Sequence, residues 1–205
     1  MTTLKLYHQP RTRSARVRWL LAELHLPHDV QTVNVFAGEG RKPDYMKEVH
    51  PHGFVPALDD EGTVIIESAA ICMYLVDRYG RGELAPPIDS KERGNYYEWM
   101  VYVPATADPL CEAVMFNTVF LPEGKRDPKL VERSKKTWLQ KVEPRFVRAL
   151  GDRPFVLGEK FSAADVLVGS SLGWARMAGM LSDDPVLAAY LERMTTRPGF
   201  LAGFE

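Results

Sequence analysis

The spacing of apolar residues changes once along this chain of 205 residues, near residue 80, and that change restricts the available folds. Before it, short alternating segments typical of strands are separated by segments with helical spacing. After it, every apolar segment has helical spacing. Residues 80–87 (GRGELAPP) have the glycine and proline content of a linker. We therefore predict an α/β domain at 1–80, a linker at 81–88 and an all-helical domain at 89–205.

The first domain is predicted to contain strands and helices in the order βαβαββα, forming a small four-stranded sheet with helices packed on it. The predicted strands are 4–7, 30–35, 55–58 and 64–66, and the predicted helices are 14–24, 43–48 and 68–79. A turn of four residues at 59–62 is expected to join the last two strands. Ser14 is expected to cap the first helix.

The second domain is predicted to contain long helices. These are 91–120, 127–150, 161–180 and 185–195. Pro104 and Pro109 lie inside the first of them and predict a kink there. Ser162 and Asp165 have the spacing of a capping box at the start of the third. The fourth is expected to be the last helix and to end before Pro198.

The charges of the chain are nearly balanced, with 26 basic and 27 acidic residues. This balance argues against a nucleic acid or an anionic membrane as partner, so we expect a small molecule or a protein. No signal peptide and no apolar run of about 18 residues is recognisable, and we expect a soluble, cytoplasmic protein. Cys72 and Cys111 lack the spacing of a metal site or a disulfide framework, so we expect no metal.

Val55-Pro56 stands where a strand is expected, although proline has no N–H to donate to a sheet. A proline at the start of a strand lies at a sheet edge or follows a cis peptide bond. If the bond is cis, Val55 turns its main-chain N–H and C=O outward, where a short extended peptide can pair with them.

Glu67 and Ser68 lie at the next junction between a strand and a helix. The free N–H groups of a helix N-terminus and the hydroxyl of Ser68 suit a carboxylate, while Glu67 suits an ammonium. Together they suit the head group of an α-amino acid. The alternative for this region is an ordinary edge strand followed by a capped helix.

Three segments carry recognisable motifs: HPHGFVPAL at 50–58, IIESAAICMYL at 65–75 and GEKFSAADV at 158–166. In this order they resemble the cis-proline loop, the glutathione-binding turn and the folding signature of the cytosolic glutathione S-transferase family, in its bacterial, theta/phi-like form. The resemblance implies a thioredoxin-like domain followed by a helical bundle, glutathione as co-substrate without a metal, and a homodimer. It also implies that the γ-glutamyl group binds at Glu67 and Ser68. The cysteinyl main chain would pair with Val55, next to Pro56.

Three hydroxyl residues near the first strand are candidates for stabilising the glutathione thiolate. A free thiol with a pKa of ~8.5 is mostly protonated at neutral pH, so the site must lower that pKa by about one to two units. By resemblance, Tyr7 matches the tyrosine classes, Thr12 the hydroxyl of the serine-type classes, and Ser14 the zeta class. The alternatives are a core aromatic residue for Tyr7, a turn residue for Thr12 and a helix cap for Ser14.

Arg13 and Arg41 are candidate partners for glutathione. The segment AGEGRKPDY at 37–45 resembles a phi-class stretch whose histidine and lysine bind the glycyl carboxylate, with Gly40 in place of the histidine. Arg41 can clamp a carboxylate through two hydrogen bonds, whereas a solvated surface arginine is the alternative. Phe54 stands where the family usually has Gln or Lys at the glutathione site, and it can instead pack across a dimer interface.

Tyr102 and Thr106 flank Pro104 in the predicted kink, where the resemblance implies a pocket for the electrophile between the domains. Core packing is the alternative for these side chains. The implied function is detoxification by conjugating the glutathione thiolate to a hydrophobic electrophile. A glutathione-dependent peroxidase, isomerase or dehalogenase is a related alternative. A non-catalytic interaction protein is a different one, and Phe54 and Gly40 favour it.

Overall fold

The computed structural model describes residues 4–204, and its first part is built on a four-stranded sheet. The strands are β1 (Leu4–His8), β2 (His28–Thr32), β3 (Ala57–Asp60) and β4 (Thr63–Ile66), in the spatial order β2-β1-β3-β4. β1 and β2 are parallel, while β3 is antiparallel to both β1 and β4. A parallel pair needs a long crossover, and here the crossover contains a helix. The predicted four-stranded α/β arrangement is confirmed, although β2 begins two residues earlier and β3 two residues later than predicted.

The helices of this first part are α1 (Ser14–Glu23), α2 (Pro43–Glu48) and α3 (Ser68–Tyr79). Leu6 in β1 is paired with Leu58 in β3, and both side chains are fully buried. α1 buries Val17, Leu20 and Leu21, whose spacing places them on one side of the helix. α1 and α3 contact each other and the strands, so they cover one face of the sheet.

The hairpin between β3 and β4 is tighter than predicted. The four-residue turn expected at 59–62 is wrong, because Asp59 and Asp60 both pair with residues of β4. Only Glu61 and Gly62 form the turn, and both have positive φ, 53° and 89°. Positive φ at both central residues gives a two-residue turn the twist that matches the flanking strands.

The second part of the chain consists mainly of helices. They are α4 (Glu92–Tyr102), α5 (Asp108–Met115), α6 (Pro128–Thr137), α7 (Glu143–Leu150), α8 (Ala163–Met177) and α9 (Pro185–Thr195). Wide π-helical turns follow α4, α5 and α6 at Val103–Ala107, Phe116–Phe120 and Trp138–Val142. The first contains Pro104, as predicted. The third divides the helix predicted at 127–150, since Pro144 has no N–H to donate to the preceding turn.

The N-terminus of α8 has the predicted capping box. Ser162 precedes the helix and accepts from the main chain of Asp165, while Asp165 Oδ2 accepts from the Ser162 N–H at 2.9 Å. The other carboxylate oxygen accepts from the Val156 N–H at 2.8 Å and from the Tyr190 hydroxyl at 2.9 Å. Burial raises the pKa of Asp165 to about 6. The Val156 N–H and the Tyr190 hydroxyl lie outside the capping box, and the sequence analysis did not predict that they would donate to Asp165.

The prediction that no helix follows residue 195 is wrong. A further helix, α10 (Pro198–Phe204), begins with a proline, which fits the first position of a helix because the N–H there has no intrahelical partner. It packs on α1 through Trp19, whose ring centroid lies 5.1 Å from that of Phe200. Arg197 also forms an ion pair with Glu23 at 2.6 Å. These contacts attach the last helix to the first part of the chain.

Contacts divide the described residues into two compact units. One contains the residues up to Glu83 and those from Thr196 onward, and the other is Leu84–Thr195. The domain bounds taken from the sequence, 1–80 and 89–205, stay a prediction. They differ from the contact-based division chiefly at α10, because the aromatic and ionic contacts described above attach that helix to α1.

Candidate functional site

One row of paired residues crosses strands β1, β3 and β4 near one end of the sheet. Tyr7 in β1 pairs with Ala57 in β3, and Ala57 pairs with Ile66 in β4. The chain leaves β1 shortly after this row, enters β3 immediately before it, and leaves β4 immediately after it. The segments brought to this end are therefore 9–13, 55–56 and 67–68. They contain most of the residues that the sequence analysis selected for glutathione.

The peptide bond between Val55 and Pro56 is cis, which is one of the two possibilities given by the sequence analysis. Val55 lies outside β3 and is half-buried. Within residues 4–204, its main-chain N–H and C=O form no hydrogen bond. The Tyr45 hydroxyl donates to the carbonyl of Phe54 at 2.7 Å and so fixes the residue just before it. The main chain of Val55 is thus available to a ligand.

The N-terminus of α3 is open. Glu67 occupies the capping position with φ 72° and ψ 114°, and no side chain of the described residues caps the helix. Ser68 is buried and begins the helix, whereas Glu67 is exposed. The first N–H groups of a helix have no partner within it, so they can bind an anion. Positive φ is costly for a glutamate and is a feature that often accompanies a functional site.

Ser14 and Thr12 are joined in a hydrogen-bonded cluster at the end of β1. Ser14 Oγ lies 2.7 Å from His8 Nδ1 and 2.8 Å from Thr12 Oγ1. The Gln9 N–H donates to Ser14 Oγ at 3.1 Å, and the Thr12 hydroxyl donates to the Gln9 carbonyl at 2.8 Å. Ser14 is fully buried and Thr12 is half-buried. Of these two residues, Thr12 is therefore the more exposed.

The expected cap of α1 by Ser14 is wrong. The capping position belongs to Arg13, and Ser14 is the first residue of the helix. Its hydroxyl turns back toward the end of β1, because His8 and Gln9 offer it partners there. His8 was missed by the sequence analysis. Because side chains alternate along a strand, His8 lies on the same face as Leu4 and Leu6. This alternation could have predicted that His8 is buried.

Tyr7 lies on the opposite face of the sheet, in a small apolar cluster with Val33 and Ala57. Its ring contacts that of Tyr45 edge-on, with centroids 5.8 Å apart. The Lys5 ammonium lies over the same ring, 4.9 Å from its centroid. This packing agrees with the core-aromatic alternative for Tyr7.

Gly40 is buried against the main chain of Gly53. A Cβ at position 40 would lie 2.0 Å from the Gly53 carbonyl oxygen, and Gly53 itself has a φ of +71°. The structure therefore has no room for a histidine at this position. The adjacent Arg41 is exposed and forms no ion pair with other residues in the described part of the chain. Arg13 is half-buried at the start of α1.

Phe54 is 62% exposed, although it directly precedes Val55. Its ring contacts that of His50 edge-on at 6.0 Å. His50 is buried, and its Nδ1 accepts from the His52 N–H at 3.3 Å. Burial lowers the pKa of His50.

The candidate electrophile residues lie in the second unit. Tyr102 is half-buried at the end of α4, with its ring 5.5 Å from that of Trp99 and the Arg145 guanidinium 5.1 Å from its centroid. Burial raises the pKa of Tyr102. Thr106 is exposed in the wide turn that follows α4.

Residues 4–204 lack two features that would point to other functions. They contain no group of three or more His, Cys, Asp or Glu side chains arranged to hold a metal ion. They also contain no helix long and apolar enough to cross a membrane.

Family models match both parts of the chain. The N-terminal domain of glutathione S-transferase matches residues 6–86, and the C-terminal domain of glutathione S-transferase matches residues 130–193. Glutathione S-transferase PM239X14 of Arabidopsis thaliana is 31% identical over 173 residues, covering 81% of this chain and 78% of the relative. Glutathione S-transferase GstA of Escherichia coli O157:H7 is 29% identical over 197 residues, covering 95% and 94%.

Solved structures give the same result for the fold. A glutathione transferase family member from Pseudomonas fluorescens, solved with two glutathione molecules bound, superposes with a TM-score of 0.87 at 23% identity, covering 98% of this chain and 92% of the other. A glutathione transferase homologue from Sulfitobacter, solved with bound glutathione, has a TM-score of 0.83 at 27% identity, covering 98% and 97%.

Proposed function

Because the chain belongs to the glutathione S-transferase family, we propose that it conjugates the thiolate of glutathione to a hydrophobic electrophile. The observation that carries this proposal is the open end of the sheet. There the main chain of Val55 and the N-terminus of α3 lie together, and within residues 4–204 the first is unpaired and the second uncapped. We further propose that the protein acts in the cytoplasm, as a homodimer, in detoxification.

The peptide part of glutathione binds by adding a short strand. The main-chain N–H and C=O of Val55 pair with the cysteinyl residue, as in other complexes in which a peptide extends a sheet. The γ-glutamyl carboxylate accepts from the first N–H groups of α3 and from Ser68, and the γ-glutamyl ammonium binds Glu67. Arg41 supplies positive charge for the remaining carboxylate, the glycyl carboxylate. Arg13, which follows Thr12 in the sequence, adds to this positive charge.

Thr12 is the hydroxyl that we propose as donor to the thiolate. A shift of one to two units in the thiol pKa corresponds to about 1.4 to 2.7 kcal/mol, which a charge-assisted hydrogen bond can supply together with the field of the site. Thr12 is half-buried, whereas Ser14 is enclosed and Tyr7 is packed in an apolar cluster. Tyr102 and Thr106 are the proposed contacts of the electrophile.

Replacing each hydroxyl in turn tests this choice. Thr12→Val should lower kcat/KM at neutral pH by about 10- to 100-fold, because the bound thiol returns toward its free pKa. Tyr7→Phe should remain near the wild-type rate. The rates are measured with a chlorodinitrobenzene-type acceptor, and glutathione affinity is measured in parallel. If both variants keep the full rate, neither hydroxyl activates the thiol.

A non-catalytic interaction protein is the second candidate, and the exposed ring of Phe54 favours it. The two functions differ in ligand binding. Retention on immobilised glutathione, with release by free glutathione, supports the transferase. Failure to bind glutathione at millimolar concentration, combined with no conjugation, would support the interaction protein instead.

A further inference from the structure

His8 is a buried histidine, and only one of its ring nitrogens has a hydrogen-bond partner in the described part of the chain. It is 2% exposed, and its Nδ1 lies 2.7 Å from Ser14 Oγ. Its Nε2 is buried and has no hydrogen-bond partner among the described residues. The function proposed above gives His8 no role, yet it contacts the hydroxyl cluster that includes Thr12.

The surroundings of His8 determine which ring nitrogen carries hydrogen. Burial, with a smaller effect from the charge of Arg18, holds the pKa of His8 at about 4, so the ring is neutral near pH 7 and has a single N–H. A buried N–H without an acceptor is rarer in proteins than a buried acceptor without a donor. We therefore assign the hydrogen to Nδ1, so that the ring donates to Ser14 Oγ.

If His8 donates to Ser14 Oγ, the direction of the hydrogen bond between Ser14 and Thr12 is also determined. Ser14 Oγ already accepts from His8 Nδ1 and from the Gln9 N–H, so both of its lone pairs are used. Its own hydrogen must point to another acceptor, and Thr12 Oγ1 at 2.8 Å is nearer than the Gln9 carbonyl at 3.0 Å. Thr12 Oγ1 also accepts from the Ser14 N–H at 3.2 Å. With two donors already directed at it, Thr12 can take part in a further bond only by donating.

We propose that His8 is a positioning residue that makes the Thr12 hydroxyl a donor to the glutathione sulfur. The chain runs from His8 Nδ1–H to Ser14 Oγ–H, then to Thr12 Oγ1–H and on to the thiolate. Without glutathione, Thr12 donates to the Gln9 carbonyl. An anionic sulfur competes well for that hydrogen, because hydrogen bonds to charged acceptors are the stronger ones. Successive bonds in such a chain polarise one another, which strengthens the last.

This inference rests on the proposed function, since it assumes that glutathione binds beside Thr12. It moves no proton between residues. His8 remains neutral throughout, and its low pKa makes it unsuited to act as the base that removes the thiol proton.

A pair of variants at His8 tests the chain. His8→Leu removes the donor, while His8→Asn keeps an N–H near the position of Nδ1. The pKa of the bound thiol is read from the ultraviolet absorbance of the thiolate against pH, and glutathione affinity is measured by calorimetry. We expect His8→Leu to raise the thiol pKa by about one unit and to lower kcat/KM at neutral pH about tenfold. We expect His8→Asn to restore most of the wild-type value.

The outcomes separate this inference from the function on which it rests. If the wild-type protein does not bind glutathione, both fail. If His8→Leu binds glutathione and its thiol pKa is unchanged, the inference is overturned and the function stands. A purely structural histidine would give that result together with a lower unfolding temperature. If His8→Leu does not fold, Ser14→Ala interrupts the same chain and should raise the thiol pKa, and an unchanged value there would equally overturn the inference.

Discussion

The helices α3 and α8 have the same three residues near their N-termini, Ser-Ala-Ala, but their ends have opposite character. In α8 the acidic residue Asp165 follows Ser162 by three positions, and it folds back to close the capping box. In α3 the acidic residue Glu67 precedes Ser68, and no side chain within residues 4–204 caps the helix. The position of one carboxylate relative to the serine distinguishes a closed helix end from an open one.

The two ends also differ in what the carboxylate contacts. Asp165 is buried and accepts from four groups of its own unit, the N–H and the hydroxyl of Ser162, the Val156 N–H and the Tyr190 hydroxyl. Glu67 is exposed and held at positive φ. The first arrangement stabilises the fold. The second keeps main-chain donors available at a cost in stability, which is the pattern expected of a binding site.

The greatest loss of stability is expected when the closed helix end of α8 is disrupted. Asp165→Ala leaves four buried donors without an acceptor, and we expect the free energy of unfolding to fall by about 3 to 5 kcal/mol. Urea denaturation measures the loss. Asp127→Ala is the matched control, because Asp127 caps α6 at an exposed position, and it should cost only about 1 kcal/mol. Equal losses in the two variants would mean that burial of the capping box adds nothing.

A smaller loss of stability is expected when the packing of Gly40 on Gly53, near Val55, is disturbed. Gly40→Ala places a Cβ 2.0 Å from the Gly53 carbonyl oxygen, and the main chain on both sides must move. We expect a loss of about 1 to 3 kcal/mol in stability. We also expect weaker glutathione binding, since Gly53 precedes Val55 by two residues. Gly94→Ala, in α4 with no atom near the added Cβ, should be neutral or stabilising. A fully stable Gly40→Ala protein would contradict the packing described here.

A smaller effect is expected when the open end loses its charge. Glu67→Gln removes the partner of the ligand ammonium, and glutathione affinity should fall about tenfold, or ~1.4 kcal/mol. Isothermal titration calorimetry measures the change. Glu61→Gln is the control, because Glu61 is also exposed and also has positive φ, yet lies in the β3–β4 turn. Similar losses of affinity in both variants would argue against a specific role for Glu67.

The smallest effect is the release of backbone strain at the open end. Glu67→Gly puts a residue that tolerates positive φ at this position, and we expect a gain of about 0.5 to 1 kcal/mol in stability despite poorer binding. Thermal unfolding of the unliganded protein detects it. A loss of stability would mean that the Glu67 side chain supports the fold rather than a ligand.

Features set by local pattern were predictable from the sequence. The span of α3, the interruption of the long helix at Pro104 and the capping box of α8 follow from apolar spacing, from the missing N–H of proline and from a recognisable serine–acid pair. The resemblance to the glutathione S-transferase family added the functional expectation, and the family models confirm that membership.

Features set by tertiary packing were not predictable. α10 was missed because its Pro198-Gly199 start is typical of a helix end, and only its contacts with Trp19 show its role. The partners of Ser14 were missed because His8 approaches it through the fold, six positions away. The positive φ of Glu67 has no signal in composition or spacing.

We propose that the main chain of Val55 and the open N-terminus of α3 bind one glutathione molecule together. The most direct test is a crystal structure of the protein with glutathione. We expect the cysteinyl N–H and C=O to lie within hydrogen-bond distance of Val55, and the γ-glutamyl carboxylate to lie at the first turn of α3. Glutathione bound elsewhere, or no glutathione at saturating concentration, would contradict this proposal.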